Sequence, residues 1–484
     1  MILSGVTSIK SVSFPDCMTE IPNGICMGWT SLTTVKWPAN LKSIGARAFR
    51  NCINLDLDNG TEEGNVLDMT KFPFNQVQEW GDFAFSGSVN MEAPTKRPDG
   101  NTITKVIWPE NGKNAAGEDL IIGRGLFEGN GRMTEGTIPA WMDKIPARLY
   151  ANCTKMENIK WEQSDRTSIE LGDSCFMATG IHNISWPDVP AKVGNYAFRD
   201  CKSAGDIMWP ESKAELGKGV FKASGIGGTV GVKPYITVLP DETFEDCNNV
   251  KEFNLPTVSA IGKRAFRNCT SAETYKFESL REVPDSAFMN NRKMTVLNNP
   301  NSAFSHVGVS GFEGCSSMTQ YYGKTDGKTK LDARAFYGNS NVTAFYGIPT
   351  DLSAEGIFAG CTTLNSLIFS SNPNNNILAI SADCFDKDPL FSASDFKIKM
   401  GAEDIVTYEG PDRGTGKGWL KVSRDMKYKL VEKGYGRLFN INELHDPKEG
   451  LNILGDIHST FEPGDTYNKY STMLRWEIVQ SDLN

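Results

Sequence analysis

A short aromatic element returns along this chain at nearly constant spacing. The stretch "IGARAFRNCI" at 44–53 has a near copy, "IGKRAFRNCT", at 261–270 and a looser one, "VGNYAFRDCK", at 193–202. Between Tyr150 and Phe358 successive copies lie 22 to 26 residues apart. Self-similarity at this period indicates a solenoid, in which each repeat buries its apolar side only against its neighbours.

We predict about fifteen repeats from the position of this aromatic residue. Two longer gaps, before the third and fourth copies, contain the insertions "DLDNGTEEGNVLD" and "PENGKNAAGED", which a solenoid carries as loops on one edge. The aromatic residue or its substitute lies at Cys26, Phe49, Phe85, Phe127, Tyr150, Phe176, Phe198, Phe221, Phe244, Phe266, Phe288, Phe312, Phe336, Phe358 and Phe385.

Each repeat begins with a strand-like segment. In "TTVKWP", Val35 and Trp37 alternate with Lys36, which is the period of a strand with one buried face. Pro38 ends the segment because proline cannot donate a hydrogen bond to a continuing ladder. Similar segments, "VIWP", "ISWP" and "IMWP", return in later repeats. We therefore expect one parallel strand per repeat.

A glycine and a short helical turn follow the strand. On that turn Ala48, Phe49 and Cys52 lie three and four residues apart, so a helical backbone would direct all three to the core. The predicted fold is an α/β solenoid with one parallel strand and one short helical turn per repeat of 22–24 residues.

Cysteine returns three residues after the aromatic residue in seven repeats. Other repeats replace it with serine, asparagine or aspartate, which a disulfide framework would not tolerate, and pairs at zinc-site spacing are absent from the sequence. We interpret these thiols as small buried fillers of a stacked ladder. The predicted structural ladder includes Phe49, Phe198, Phe244, Phe266, Phe312 and Phe358, with Cys52, Cys201, Cys247, Cys269, Cys315 and Cys361.

These motifs resemble those of the BspA-like leucine-rich repeats found in surface proteins of Bacteroides-type bacteria. The shared pattern is L-x-x-I-x-I-P followed by I-G-x-x-A-F-x-x-C, although leucine is sparse here. The resemblance implies a right-handed leucine-rich-repeat superhelix over 1–426, whose last repeat, 396–426, contains Tyr408 and Trp419. Residues 427–484 lose the register, and we expect a capping segment and tail there, with a small separate module as the alternative.

Composition narrows the classes of partner. A net charge of −9 and a pI near 5.3 leave no basic surplus for phosphates, so we expect no nucleic-acid partner. The sequence contains no apolar stretch long enough to span a membrane. The opening "MILSGVTSIKSVSFP" does not resemble a signal peptide. The protein is therefore either cytosolic or exported by a signal outside this chain. Because the repeats begin almost at once, we expect the second, and hence a secreted or cell-surface protein.

One row of outward strand positions is a candidate binding site. The repeat register places Tyr322, Tyr346 and Ile368 on consecutive strands, with Gln320 on the same face of the first. Tyrosine is favoured at contact surfaces, and solenoids bind on such faces. The alternative is that these tyrosines only stack as a cross-strand ladder on a solvated surface.

Catalytic patterns are scarce. The four histidines, His182, His306, His445 and His458, share no spacing, so neither a metal cluster nor a catalytic triad is indicated. We predict a non-enzymatic monomer that needs no metal or cofactor and binds a protein or glycan. A structural spacer is the main alternative, and a carbohydrate-active solenoid enzyme is a further one.

Overall fold

The chain folds into two compact units of stacked repeats. The computed structural model describes residues 6–57, 66–87, 103–298, 304–322, 329–346, 354–364, 366–369, 397–400, 403–408, 419–422 and 475–478. The first unit comprises Met1–Ile236 and Glu242–Asn249, and the second comprises Thr237–Asp241 and Val250–Asn484.

The first unit is built from very short strands. In chain order its described elements are β1 (Ser11–Ser13), β2 (Glu20–Ile21), β3 (Thr34–Lys36), β4 (Ser43–Ile44), β5 (Val66–Asp68), η1 (Phe74–Gln76), β6 (Glu79–Trp80), β7 (Lys105–Ile107), β8 (Ile121–Ile122), β9 (Glu135–Ile138), β10 (Lys144–Ile145), β11 (Asn158–Trp161), β12 (Ile169–Leu171), β13 (Asn183–Ser185), β14 (Ala191–Val193), β15 (Asp206–Met208), β16 (Ala214–Leu216) and β17 (Gly227–Gly231).

These strands form two parallel ladders. The predicted ladder is present as the pairs β1–β3, β5–β7, β9–β11 and β13–β15. In the first of these pairs Val12 lies opposite Val35. A second ladder, which the repeat pattern did not predict, comprises the sheets β2–β4–β6–β8 and β10–β12–β14–β16. In it the buried Ile44 lies opposite the buried Trp80. Most repeats therefore contain two short strands, one on each side of the core.

The second unit repeats this arrangement. Its described strands are β18 (Val238–Leu239), β19 (Asn249–Asn254, entering from the first unit), β20 (Ala260–Ile261), β21 (Thr274–Lys276), β22 (Glu282–Val283), β23 (Val296–Asn298), β24 (His306–Val307), β25 (Gln320–Tyr322), β26 (Lys330–Leu331), β27 (Ala344–Tyr346), β28 (Ser366–Phe369), β29 (Lys397–Met400), β30 (Glu403–Tyr408), β31 (Trp419–Val422) and β32 (Arg475–Ile478).

Parallel pairing dominates until the last repeats. The first ladder of this unit contains β19–β21–β23 and β25–β27–β28–β29, and the second contains β18–β20 and β22–β24–β26. The order becomes antiparallel at β29–β30–β31, and β32 then pairs in parallel with β31. Phe385 and most of 427–484 lie outside the described residues. The division at residue 426 thus stays a prediction.

The predicted helical turns are wrong: within the described residues the structure has one helical element, the single 3-10 turn Phe74–Gln76. The cause is an alternating backbone in the segment after each glycine. The N–H groups of Ala48 and Arg50 bond three residues back within the turn, whereas those of Arg47, Phe49 and Asn51 bond to carbonyls of the next repeat. An α-helix would use all of these donors internally.

Two residues of left-handed backbone make this alternation possible. Arg47 has φ +57° and Asn51 has φ +63°, and equivalent positions in other repeats are also left-handed. Ala48, Phe49 and Cys52 are nevertheless buried, as predicted. The fold is therefore a parallel-strand solenoid in which backbone hydrogen bonds join each turn to the turn of the next repeat. Its right-handed sense stays a prediction.

Aromatic rings run through the core of each unit. In the second unit Phe266, Phe288, Phe312, Phe336 and Phe358 stack face to face with centroids 5.2 to 5.5 Å apart. The first unit contains the same column, formed by Phe127, Tyr150, Phe176, Phe198, Phe221 and Phe244 at 5.4 to 6.3 Å. Each ring thus packs against the repeats before and after it, which makes every repeat depend on its neighbours.

Candidate ligand-binding face

The backbone of the candidate face is a parallel ladder of three consecutive strands in the second unit. β25 pairs with β27, and β27 pairs with β28. The register aligns Tyr322 with Tyr346 and Tyr346 with Ile368, in the row that the repeat spacing predicts. Gln320 begins a second row, is exposed, and lies opposite Ala344. The side chains of Tyr322, Tyr346 and Ile368 lie outside the described part of the structure.

The residues between these two rows anchor the face to the core. Tyr321 is 2% exposed and Phe345 1% exposed, and their rings pack within 4.5 and 5.5 Å of the Phe336 centroid. The Tyr321 hydroxyl accepts a hydrogen bond from Asn339 Nδ2 at 3.1 Å, and burial raises its pKa well above the usual range. The ladder is therefore a well-supported platform.

The recurring cysteines are hydrogen-bond donors as well as fillers. Cys315 Sγ lies 3.0 Å from the carbonyl oxygen of Phe288, one repeat earlier, and Cys247 Sγ lies 3.1 Å from that of Phe221. Where cysteine is replaced, Asn130 Nδ2 donates to the Phe85 carbonyl at 3.0 Å. The signal was present in the sequence, because most of the substitutes are serine or asparagine, whose side chains can donate a hydrogen bond.

These thiols are unsuited to nucleophilic or metal chemistry. Burial raises the pKa of Cys153 and of Cys247 to about 12 and that of Cys201 to about 11. A thiol must lose its proton to act as a nucleophile or metal ligand. Among the described cysteines, only Cys17 is exposed. The described residues contain no group of three or more histidine, cysteine or acidic side chains arranged to hold a metal.

The turns that contain the left-handed residues, such as 47–51, form one edge of the stack, which we call the turn edge. A network of paired charges lies on this edge in the first unit. Lys222 Nζ lies 2.9 Å from Glu242 Oε2 and 2.7 Å from Glu245 Oε2, and both carboxylates are buried. Lys218 Nζ adds a contact of 3.0 Å to Glu242. Burial alone would lower the pKa of Lys222, but its hydrogen bonds to the two glutamates outweigh burial and raise it. Since opposite charges are matched here, the network is structural.

The first ladder is interrupted between β15 and β17. In the first unit β15 pairs with β13 but not with β17, and a cavity of about 300 Å³ opens beside them. Ile207, Trp209 and Val230 line it together with backbone from the glycine-rich stretch "GIGGTVG". Those glycines were the sequence signal for a weakened strand.

The described histidines do not form a catalytic centre. His306 Nε2 lies 2.7 Å from Asp332 Oδ2, and His182 Nε2 lies 4.0 Å from Glu157 Oε2. The His306 pair lies on the second ladder of its unit, and the His182 pair lies beside the first ladder of the other unit. His445 and His458 lie outside the described residues. Across the described ranges, none of the helical structure is long and apolar enough to cross a membrane.

The family follows from comparison with known repeats. A family model described as "BspA type Leucine rich repeat region" matches this chain in six copies, over residues 2–92, 120–248 and 237–353. The chain belongs to the BspA-type leucine-rich repeat family. The resemblance of the I-G-x-x-A-F-x-x-C element is thereby confirmed, and the BspA-type register covers the candidate face up to Tyr346.

One solved structure supports the leucine-rich-repeat fold, and two others were found as similar chains. A leucine-rich repeat protein from Bacteroides ovatus superposes with a TM-score of 0.51 at 18% identity, over 76% of this chain and 80% of that one. A leucine rich cell surface protein from Faecalibacterium prausnitzii has a TM-score of 0.35 at 18% identity, over 74% and 78%. The pneumococcal vaccine antigen PcpA has 0.41 at 12%, over 83% and 91%. A search of curated proteins found no match.

Proposed function

We propose that this BspA-type chain is a non-enzymatic binding scaffold that acts outside the cell and recognises a protein or glycan. The observation that carries the proposal is the parallel register that aligns Tyr322, Tyr346 and Ile368 on three consecutive strands. Solenoids use extended strand faces for binding, and tyrosine contributes large contact area at low entropic cost.

The platform beneath this row supports the same reading. Because Tyr321 and Phe345 are buried in the aromatic column, the strands that carry the row are held in fixed register. A ligand that binds across three strands would then meet a preorganised surface, which reduces the entropy lost on binding. The extracellular location rests on the family resemblance to surface proteins, and the monomeric state on the sequence alone.

A binding array tests the proposal. Purified chain is applied to immobilised glycans and extracellular-matrix proteins beside a Tyr322→Ala/Tyr346→Ala variant. A Tyr196→Ala/Tyr337→Ala variant serves as the matched control, because both of its tyrosines lie half-buried on the turn edge. The proposal expects a ligand whose binding falls at least about tenfold in the first variant only.

Other outcomes separate the alternatives. Binding that survives in the first variant would move the site away from this row. An array without any ligand would favour the structural spacer, for which ion pairs across the strand face, such as Lys276 with Glu252 at 2.7 Å, suffice. Turnover of an arrayed polysaccharide would favour the carbohydrate-active enzyme.

A further inference from the structure

Three arginines converge on one phenylalanine at the turn edge of the first unit. The guanidinium carbons of Arg47, Arg50 and Arg124 lie 5.9, 5.8 and 5.5 Å from the centroid of the Phe83 ring. Backbone hydrogen bonds between repeats bring these four residues together. The Arg47 N–H donates to the Asp82 carbonyl, and the Phe83 N–H donates to the Arg124 carbonyl. Three successive repeats thus contribute to one cluster.

Within the described residues, none of these three guanidinium groups has an ion-pair partner. The adjacent carboxylate, Asp82, instead accepts the backbone N–H of Arg124 through Oδ1 at 2.7 Å. The Nε atom of Arg50 is buried and has no hydrogen-bond partner. The cluster therefore holds positive charge and at least one donor that the protein does not use.

Arginines on the same kind of turn elsewhere in the chain behave differently. Arg148 Nε lies 2.7 Å from Glu128 Oε2, and Arg334 makes a two-point contact with Glu313 at 3.0 and 2.7 Å. The paired state is thus readily available on this edge. Among the described residues, Arg47, Arg50 and Arg124 have no ion-pair partner although the chain carries a net charge of −9.

The like charges of the three guanidinium groups around one ring repel one another. Two unit charges about 10 Å apart near a protein surface interact by about 1–2 kcal/mol, and salt screens part of it. The negative face of the Phe83 ring offsets some of this repulsion and orients the guanidinium planes. A bound anion would offset the rest, since guanidinium groups form two-point hydrogen bonds with carboxylate and similar oxyanions.

We propose that Arg47, Arg50, Phe83 and Arg124 form a binding site for an anionic oligosaccharide that carries sulfate or carboxylate groups. Arg47 and Arg50 lie two repeats from Arg124, which corresponds to about 10 Å along the stack. An extended polymer with regularly spaced anionic groups fits such a row. The site lies on the turn edge in the first unit, so it goes beyond the strand face proposed above.

Binding of dextran sulfate, polygalacturonate and neutral dextran to the whole chain tests this site. The test variant is Arg47→Gln/Arg50→Gln/Arg124→Gln. The control, Lys144→Gln/Lys192→Gln/Lys213→Gln, removes three exposed charges that lie in or next to the second ladder of the same unit. We expect the test variant to bind an anionic polymer at least about tenfold more weakly, the control to bind as the parent does, and neutral dextran not to bind.

The two anionic polymers distinguish a sulfate site from a carboxylate site. A Phe83→Leu variant, which keeps all three charges, should bind about threefold more weakly because it loses the orienting ring. Equal losses in the two triple variants would show non-specific charge attraction and overturn the proposal, as would unchanged binding in the test variant. Tighter binding to a single-stranded oligonucleotide would overturn the glycan assignment. The Tyr322→Ala/Tyr346→Ala variant should bind these polymers normally.

Discussion

Replacing one glycine of the second ladder should destabilise the first unit strongly. An added Cβ at Gly194 would lie 2.6 Å from the Leu171 carbonyl oxygen, 2.7 Å from the Asp173 backbone nitrogen and 2.8 Å from Asp173 Oδ1. These atoms belong to the preceding repeat. The Gly194→Ala change therefore forces two repeats apart, although the backbone angles at this position suit alanine.

The expected loss in the free energy of unfolding follows from the hydrogen bonds that this separation of repeats would break. The Gly194 N–H donates to the Leu171 carbonyl at 2.8 Å, and the Asn195 N–H donates to Asp173 Oδ1 at 2.7 Å. Losing both bonds costs about 2 kcal/mol, and overpacking adds about 1–3 kcal/mol. The lower chain entropy of alanine returns about 0.4–1 kcal/mol. We expect a net loss of about 3 kcal/mol in the free energy of unfolding.

Urea unfolding followed by circular dichroism measures this loss. Gly131→Ala is the matched control, because the nearest atom to its added Cβ would be Thr154 Oγ1 at 3.8 Å. The control should be neutral or slightly stabilising, whereas Gly194→Ala should lower the midpoint by about 1 M. If both variants unfold at the same urea concentration, the close approach of repeats at this glycine is refuted.

Three further predictions concern the thiols. In Cys315→Ser the hydroxyl can still donate to Phe288, so thermal unfolding should show it more stable than Cys315→Val by about 1 kcal/mol; the reverse order would leave only a filler role. In native protein a thiol reagent should modify Cys17 rapidly and buried cysteines such as Cys153 only after unfolding; equal rates would contradict their burial. Burial raises the pKa of Cys247 from about 9 to about 12, so above pH 9 the unfolded chain loses this proton and the folded chain keeps it. The free energy of unfolding should be constant below pH 9 and fall by about 1.4 kcal/mol per pH unit per thiol between pH 9 and 12. Urea midpoints that stay level over this range would contradict this.

The repeat architecture was predictable because spacing alone determines which residues face the core. Phe49, Phe198 and Phe312 were assigned from the repeat spacing, and all three are buried. Spacing within the turn was misleading. Residues three and four apart share a face in a helix, but they also share one in a turn whose donors alternate between repeats.

The left-handed residues explain why this difference was hard to read. Asn51 was a usable signal, because asparagine tolerates positive φ and glycine takes the equivalent place at Gly129 and Gly360. Arg47 gave no such signal, since arginine rarely adopts that conformation. The second ladder was missed for a related reason: two-residue strands such as Ser43–Ile44 are too short to show a period.

The two candidate sites also differ in how far the sequence predicts them. Register counting was enough to align Tyr322 with Tyr346, because parallel strands in equal repeats keep their register. It could not find the arginine cluster. Arg47 and Arg124 are separated by both insertions, and only the folded stack shows that Phe83 lies between them.

Hydrogen exchange on the chain with and without the ligand from the array tests the binding face most directly. We expect slower amide exchange on ligand addition at Gln320–Tyr322, Ala344–Tyr346 and Ser366–Phe369, with little change at the turn edge of the first unit. Protection confined to segments outside these three strands would contradict it.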